Sequence, residues 1–310
     1  MRVLVTGAAG FAGRHLCRRL LETGHDVVGT ALHEEELANG AHALVQCDVA
    51  DEAAVRELLR QTRPDAVFHL AAVTSVQEAS HAPEAAFATN VRGTRNLIEI
   101  TIANAPAATF VAISSAEVYG PVRPEDLPVR ETQPAAPVHL YGETKAAVES
   151  LCRTYAGRLR IILLRPFNHI GPGQSPQFVV SSFARQIAEI EAGRTEPVLH
   201  VGNLDAERDF TDVRDVADAY CLALERCAPN TPYNICSGQA VPIRRILELL
   251  LAMSHARVRI EQDPNRLRPD DVPVLRGSSD LFVRATGWTR RYRLEETLAD
   301  VLADWRGRVG

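Results

Sequence analysis

Three side chains in the middle of the chain could carry out a proton transfer together. Tyr141 and Lys145 are separated by one helical turn in a segment that predicts a helix start, so both face the same side. An ammonium near a phenol favours the phenolate, and this spacing predicts that Lys145 lowers the pKa of Tyr141 toward the working pH. Ser115 lies at the end of an upstream apolar run and could hydrogen-bond the same oxygen. Together, the three side chains predict a site in which Tyr141 donates or accepts a proton.

Tyr-x-x-x-Lys alone is common and also fits a plain helix start, so a catalytic role for Tyr141 and Lys145 depends on the surrounding elements. The chain opens with the apolar run 3–5, a Gly-x-x-Gly-x-x-Gly turn and a helical pattern. Glycines between a first strand and a first helix let the backbone approach the pyrophosphate of a dinucleotide at the helix N-terminus. The cofactor contacts predicted in this turn are Gly7, Gly10, Phe11, Ala12 and Gly13.

Apolar strands and helical patterns alternate through the first half of the chain. This alternation predicts an α/β fold with a Rossmann-type doubly wound parallel sheet, covered by helices on both faces. Long helices are predicted at 52–61, 83–103, 178–192, 215–226 and 241–252. Ligands of such folds bind at the carboxyl ends of the strands, where Asp48, Ala71, Ser115 and Pro166 are expected.

After residue 165 the chain becomes richer in Gly and Pro and mixes short strands with helices. We predict a dinucleotide-binding domain over 1–165, to which 211–236 return. The remainder, 166–310, is predicted to form a smaller C-terminal α+β domain that binds substrate.

Composition excludes several classes of partner. The 310 residues are 46% hydrophobic and 24% charged, and the net charge of −5 argues against nucleic acid. The six cysteines form neither a Cys-x-x-Cys pair nor a Cys/His cluster, which predicts no metal site and a cytoplasmic location. The first residues already predict a strand, leaving no room for a signal peptide, and no apolar run is long enough to span a bilayer.

With these segments placed, the chain resembles the extended short-chain dehydrogenase/reductase family of nucleotide-sugar enzymes over nearly its whole length. The motifs that carry the resemblance, in order, are 6–13, 48–49, 69–72, 90–94, 114–120, 141–145 and 165–168. Segments 165–174 and 268–277 are most similar to the GDP-4-keto-6-deoxy-D-mannose reductases. The segment 202–209 is similar to both these reductases and the GDP-mannose 4,6-dehydratases. The resemblance implies NAD(P)H-dependent reduction of the C4 ketone to GDP-D-rhamnose, or to its epimer GDP-6-deoxy-D-talose.

The same resemblance implies residue roles. Tyr141 would be the general acid, Lys145 would bind the nicotinamide ribose, and Ser115 rather than Ser114 would hydrogen-bond the sugar oxygen. Implied cofactor contacts beyond the Gly-rich turn are Asp48, Val49, Leu70, Ala71, Ala72, Asn90, Tyr141, Lys145 and Pro166. Implied substrate contacts are Ser75, Ser115, Glu117, Asn168, Val179, Arg185, Asn203, Arg208, Arg268 and Asp271.

Several of these residues have structural alternatives. Asn90 matches a residue that ties backbone segments together near the site. Asp48 would equally suit a helix N-cap, and Arg185 an exposed helix face.

Glu117 keeps a second function open. In the related 4,6-dehydratases a Glu at the matching position acts as base at C5, although the hydroxyl there is typically Thr and this chain has Ser115. The alternatives are a GDP-mannose 4,6-dehydratase, another nucleotide-sugar epimerase, and a catalytically silent binding protein. The intact Ser115, Tyr141 and Lys145 argue against the last.

The cofactor is predicted as NADP(H) or NAD(H), without a preference. The segment after the second strand has neither an Asp for the ribose hydroxyls nor an Arg for a 2′-phosphate. The acidic run 34–36 would repel that phosphate, whereas Arg14 would favour it. The predicted partner is a GDP-sugar, with no nucleic acid or membrane.

The resemblance also implies a homodimer through the helices that contain Asn90 and Tyr141. The apolar residues Ala146, Val148 and Leu151 fit either that interface or core packing.

Overall fold

The computed structural model describes residues 1–33, 43–267 and 272–310. The strands within these ranges are β1 (Arg2–Thr6), β2 (Asp26–Ala31), β3 (Ala43–Gln46), β4 (Ala66–His69), β5 (Thr109–Ile113), β6 (Arg160–Pro166), β7 (Asn168–Ile170), β8 (Val198–Val201), β9 (Glu207–Asp212), β10 (Pro232–Ile235), β11 (Ala240–Pro242), β12 (Arg259–Gln262) and β13 (Val274–Leu275). The helices are α1 (Phe11–Glu22), α2 (Glu52–Thr62), α3 (Val76–His81), α4 (Pro83–Phe87), α5 (Gly93–Asn104), α6 (Leu140–Thr154), α7 (Val179–Glu191), α8 (Val213–Arg226), α9 (Ile243–Ala252), α10 (Asp280–Thr286) and α11 (Leu294–Val309). A π-helical turn, Ala88–Arg92, lies between α4 and α5, and 3₁₀ turns lie at Ala116–Val118, Pro124–Asp126 and Pro264–Arg266.

Seven parallel strands form the central sheet, in the order β10-β6-β5-β4-β1-β2-β3. The strand order reverses between β1 and β4, and in open α/β sheets ligands bind beyond the carboxyl ends of the strands at this point. All four residues of β4 are buried, as expected for a parallel strand covered on both faces. The predicted doubly wound sheet is confirmed.

Two apolar cores lie on opposite faces of this sheet. Successive residues of β1 alternate between them, because strand side chains point to alternate faces. Val3 and Val5 pack with Leu16 of α1 and Tyr220 of α8, whereas Leu4 packs in the core formed with α2, α5 and α6. These layers hold the strand ends in fixed positions, and the strand ends carry the candidate site.

The rest of the chain builds smaller sheets beside the first. Strand β9 pairs with β7, β11 and β13, while β8 pairs with β12. Helices α7, α9 and α11 pack around a third core that includes Phe183, Leu250 and Trp305. Within 211–236, β10 joins the central sheet beside β6. The domain division at residue 165 stays a prediction.

Two predicted helices differ from the observed elements. The helix expected at 83–103 is divided into α4, the π-helical turn and α5. The helix expected at 241–252 begins later, because its first residues form β11 and pair with β9. Within the described ranges, the helices are all too short or too polar to cross a bilayer.

Candidate active site

The Gly-rich turn joins β1 to α1 at the point where the strand order reverses. Gly7 has φ of +69°, and a Cβ added there would lie 2.8 Å from the backbone nitrogen of Ala71. A Cβ on Gly13 would collide with the carbonyl oxygen of Gly7. The N-cap of α1 is Gly10, which has no side chain that could cap the helix. Backbone N–H groups at a helix start bind phosphate well, so this turn fits the pyrophosphate of the predicted cofactor.

Other predicted cofactor residues surround this turn. Phe11 and Ala12 are half-buried in the first turn of α1, and the Phe11 ring stacks on His169 at 5.8 Å. Leu70, Ala71 and Ala72 follow β4 and are half-buried. The Ala71 amide donates to the Thr6 hydroxyl at 3.2 Å, which holds the end of β4 against the end of β1.

Pro166 ends β6 and is buried, paired in register with Ile235 of β10. It therefore lies at the carboxyl edge of the sheet, as predicted for a cofactor contact.

Asp48 and Val49 follow β3 but differ in environment. Asp48 is exposed, and its carboxylate accepts from the Ala50 amide at 2.8 Å. The N-cap of α2 is Asp51, so the alternative that made Asp48 the helix cap is wrong. Val49 is only 3% exposed and packs against Gly93, where a Cβ would lie 2.6 Å from its Cγ2 atom.

Asn90 is a structural support in the π-helical turn. Its carboxamide accepts from the Val73 amide at 2.8 Å and donates to the Val73 carbonyl at 3.1 Å and to the Thr144 hydroxyl at 2.9 Å. The side chain thus ties the loop after β4 to α6 and is 1% exposed. Its carboxamide is bonded to protein and buried, as the structural alternative predicted, and its role as a cofactor contact stays a prediction.

Ser114 and Ser115 point in opposite directions at the end of β5. The Ser114 hydroxyl donates to Glu149 Oε1 at 2.7 Å, inside a buried cluster. The Ser115 hydroxyl hydrogen-bonds Tyr141 and accepts from the Glu117 amide at 3.2 Å. Because adjacent residues of an extended chain face opposite sides, only Ser115 can share the Tyr141 site.

Tyr141 and Lys145 lie in the first turns of α6, with the Lys145 Nζ atom 5.9 Å from the Tyr141 ring centre. Burial raises the pKa of Tyr141 to about 12; the Ser115 hydrogen bond lowers it and the Glu117 charge raises it. Burial lowers the pKa of Lys145 to about 8. The expected fall in the pKa of Tyr141 is therefore wrong: its pKa is raised, because desolvation of the buried phenol is the largest effect.

Lys145 is held by a backbone contact. Its Nζ atom donates to the carbonyl oxygen of Ile113, the last residue of β5, at 2.8 Å. The side chain therefore spans from α6 to the end of the strand that precedes Ser115. A neutral phenol, a hydroxyl and an ammonium meet here, which is an arrangement able to deliver a proton.

His139 is a residue of this site that the sequence analysis missed. It is the N-cap of α6, two residues before Tyr141, and its Nε2 atom lies 2.8 Å from Glu117 Oε2. Glu117 belongs to the 3₁₀ turn that follows Ser115. The position of His139 at a predicted helix start was a signal for a capping role, but its contact with Glu117 depends on the fold.

The residues predicted to bind substrate are spread over the smaller sheets. Asn168 begins β7, Val179 begins α7, and both are half-buried. Arg208 donates to the Val272 carbonyl at 2.6 Å, and the Asn203 carboxamide accepts from the Asp205 amide at 3.0 Å.

The remaining predicted substrate residues lie farther out. Ser75 caps α3 through the Glu78 amide at 3.3 Å. Arg185 lies 3.9 Å from Glu189 and lines a cavity of about 350 Å³ that none of the catalytic candidates lines. Arg268 and Asp271 lie outside the described residues, as does the acidic run 34–36.

Comparison with known proteins identifies the family. The model of the family described as "GDP-mannose 4,6 dehydratase" matches residues 4–301. The GDP-6-deoxy-D-mannose reductase of Pseudomonas aeruginosa is 37% identical, over 99% of this chain and 98% of the relative. The solved structure of RMD from Pseudomonas aeruginosa, complexed with NADPH, is 37% identical with a TM-score of 0.87, covering 99% of both chains. Thermus thermophilus UDP-glucose 4-epimerase, complexed with NAD, is 30% identical with a TM-score of 0.88, covering 99% of both chains.

These similarities span the whole fold and agree with the predicted family and with a nicotinamide cofactor, NADP(H) or NAD(H). The chain belongs to the extended short-chain dehydrogenase/reductase family of nucleotide-sugar enzymes.

Proposed function

We propose that the protein reduces the C4 ketone of GDP-4-keto-6-deoxy-D-mannose to GDP-D-rhamnose. The observation that carries this proposal is Tyr141, a buried phenol hydrogen-bonded to Ser115, in a chain similar along its length to a GDP-6-deoxy-D-mannose reductase. When bound, the nicotinamide cofactor supplies the hydride. The protein side chains bind and orient the sugar and supply the proton.

Tyr141 acts as the proton donor. With a pKa of about 12 it keeps its proton at neutral pH and can give it to the more strongly basic C4 oxygen as that oxygen becomes an alkoxide. Ser115 hydrogen-bonds the phenol and orients the same sugar oxygen. Lys145, when charged, stabilises the phenolate left after transfer.

The cofactor is held by the backbone of the Gly-rich turn, with its pyrophosphate at the start of α1. Arg14 is exposed in the first turn of α1, where a cation would attract a 2′-phosphate. This favours NADPH, but Arg14 alone does not exclude NADH, and both are kept as candidate reductants.

The substrate lies between the end of the central sheet and the smaller sheets. Arg208 and Arg268 are proposed to bind the diphosphate, since guanidinium groups match phosphate oxygens in pairs. Asn168 contacts the sugar or diphosphate, Val179 packs on the nucleobase, and Asp271 accepts from ribose or guanine.

Ser75 and Asn203 are kept as outer substrate contacts. Arg185 is also kept as a substrate contact; it lines a cavity that does not include Tyr141 and lies near Glu189 on its own helix.

We also propose a homodimer formed through the helices that contain Asn90 and Tyr141. Val148 is 2% exposed and packs in the core, so it does not contribute to such an interface, whereas Ala146 and Leu151 are half-buried. Light scattering coupled to gel filtration measures the assembly directly, and a monomer at micromolar concentration contradicts this proposal.

One assay tests the reaction. GDP-4-keto-6-deoxy-D-mannose is mixed with the protein and NADPH or NADH, and the absorbance of the reduced cofactor is followed. We expect stoichiometric oxidation and a GDP-D-rhamnose product by NMR. If the product is GDP-6-deoxy-D-talose, only the proposed stereochemistry at C4 is wrong. If neither NADPH nor NADH is oxidised, the proposed reaction is contradicted.

A second candidate is GDP-mannose 4,6-dehydratase activity with Glu117 as base. The observation that favours it is the position of Glu117, close enough for its charge to raise the pKa of Tyr141. Conversion of GDP-mannose to a keto sugar, lost in Glu117→Gln, would support this candidate over the reductase.

A further inference from the structure

His139 joins the helix that carries Tyr141 to the turn that carries Glu117. Its Nδ1 atom accepts from the Gly142 amide at 3.1 Å and so caps α6. A ring nitrogen that accepts a hydrogen bond carries no proton, so the neutral ring has its proton on Nε2. This Nε2–H group donates to Glu117 Oε2 at 2.8 Å. The helix cap therefore sets the tautomer that binds the carboxylate.

The pair borders the candidate reacting group. The rings of His139 and Tyr141 are nearly parallel, 12° apart, with centres separated by 6.3 Å. The side chains of His139 and Glu117 are 18% and 26% exposed, which leaves them within reach of a ligand.

The backbone holds this geometry in place. A Cβ at Gly142 would lie 2.6 Å from the Glu117 carbonyl oxygen, so the turn and the helix start are in direct contact. The Glu117 amide is also bonded to the Ser115 hydroxyl. Glu117 is thus fixed on both sides, by Ser115 through its backbone and by His139 through its carboxylate.

Hydrogen bonds affect how readily a carboxylate accepts a proton. A donor bound to the charged form of a carboxyl group stabilises it and makes it a weaker base. In a bound 4-keto sugar the proton on C5 is adjacent to the ketone, and a nearby base can remove it. We propose that His139 is a positioning residue that holds Glu117 as a hydrogen-bonded acceptor and suppresses proton removal from C5 of the sugar. This inference rests on the proposed function.

The suppressed step is a balanced proton exchange. The C5–H bond breaks, its proton passes to the Glu117 carboxylate, and its electron pair forms the enolate between C5 and C4. In D₂O the carboxyl group exchanges its proton with solvent and returns a deuteron to C5, restoring the ketone. No oxidant or reductant is consumed.

The test compares wild type with His139→Asn, Glu117→Gln and the double variant. Asn is a good N-cap, so His139→Asn keeps the bond to the Gly142 amide and loses the bond to Glu117. GDP-4-keto-6-deoxy-D-mannose is incubated in D₂O with each protein and oxidised cofactor, and loss of the C5 proton is followed by NMR. We expect His139→Asn to exchange at least about tenfold faster than wild type, since a released general base accelerates proton transfer. The double variant should return to the wild-type rate or below it.

Three outcomes overturn the inference. The first is an unchanged exchange rate in His139→Asn although that variant is folded and binds the GDP-sugar by titration. The second is fast exchange that persists in the double variant, because the base is then not Glu117. The third is an Nδ1–H tautomer of His139 by nitrogen NMR of the wild-type protein, which needs no substrate. His139→Ser, which also caps helices, replaces His139→Asn if the latter does not fold.

The proposed function and this inference fail separately. If wild type oxidises NADPH or NADH with the keto sugar but His139→Asn shows no faster exchange, only the role of His139 is lost. If wild type oxidises neither cofactor, the reductase proposal is lost, and the tautomer measurement still tests the geometry of the pair.

Discussion

Gly142 and Glu117 touch through their backbones at the centre of the candidate site. A side chain at position 142 would place its Cβ 2.6 Å from the Glu117 carbonyl oxygen and 2.9 Å from the Cβ of Pro137. This contact locks the start of the Tyr141 helix to the 3₁₀ turn after Ser115. The helix carries Tyr141, and the turn carries Glu117.

This contact leaves no room for a Cβ at position 142. Gly142→Ala should lower the free energy of unfolding by ~1–3 kcal/mol, as overpacking does in a filled site, and should reduce kcat by shifting Tyr141. Chemical denaturation and steady-state rates measure the two effects. Gly307→Ala is the matched control, since a Cβ there meets nothing within 4 Å and Ala favours the surrounding helix. Equal stability of the two variants would contradict the prediction.

Removal of the Tyr141 hydroxyl should abolish proton donation without disturbing the fold. We expect Tyr141→Phe to lose ~10²–10⁴-fold in kcat, the range for general acid catalysis, with cofactor binding retained. Tyr155→Phe removes a hydroxyl from the other end of the same helix, where it bonds Glu99 at 2.6 Å, and should keep its activity. Full activity in Tyr141→Phe would mean that another group donates the proton.

The rate of reduction should fall as the pH rises above about 8, the lowered pKa of Lys145. Lys145 is charged below that pH and neutral above it, and only the charged form stabilises the phenolate of Tyr141. A profile of kcat/KM against pH measures this fall in rate. In Lys145→Met the rate should be low at every pH, and the fall near pH 8 should be absent. A fall near pH 8 that persists in this variant would be caused by another group.

Arg165 and Glu149 form a buried ion pair beneath the site, with two hydrogen bonds of 2.8 and 2.6 Å. Glu149→Gln should cost ~3–5 kcal/mol of stability, because it leaves the guanidinium buried without its charge partner. Urea denaturation measures the loss.

Two further variants control this prediction. Replacing both members of the pair by Met should recover much of the loss, as for other buried ion pairs. Glu52→Gln removes one partner of the exposed pair with Arg56 and should change stability little. Similar losses in the Glu149 and Glu52 variants would contradict the expected effect of burial.

The sequence predicted most of what depends on local pattern. Apolar runs and the Gly7, Gly10 and Gly13 spacing were enough to predict the doubly wound sheet and the turn at its centre. The helix of Tyr141 and Lys145 was also correctly predicted, since four-residue spacing is a local property.

Features that depend on distant contacts were missed. The π-helical turn in the predicted helix 83–103 carries Asn90, whose partners Val73 and Thr144 are 17 and 54 residues away. The pKa of Tyr141 was expected to fall because only the local ammonium was considered, whereas burial involves residues from several elements. His139 and Glu117 are 22 residues apart in the sequence, so residue spacing did not predict their contact.

The return of β10 to the sheet has a consequence for how such enzymes diversify. Because β6 and β10 are parallel neighbours, the chain between them, 167–231, is a single insertion between adjacent strands. It contains Asn168, Val179 and Arg208, whereas Tyr141 and Lys145 precede it. Recombination at these two strands would therefore move Asn168, Val179 and Arg208 together and leave Tyr141 and Lys145 with the recipient. The incoming α8 must then still pack against Val3, Val5 and Leu16 of the recipient.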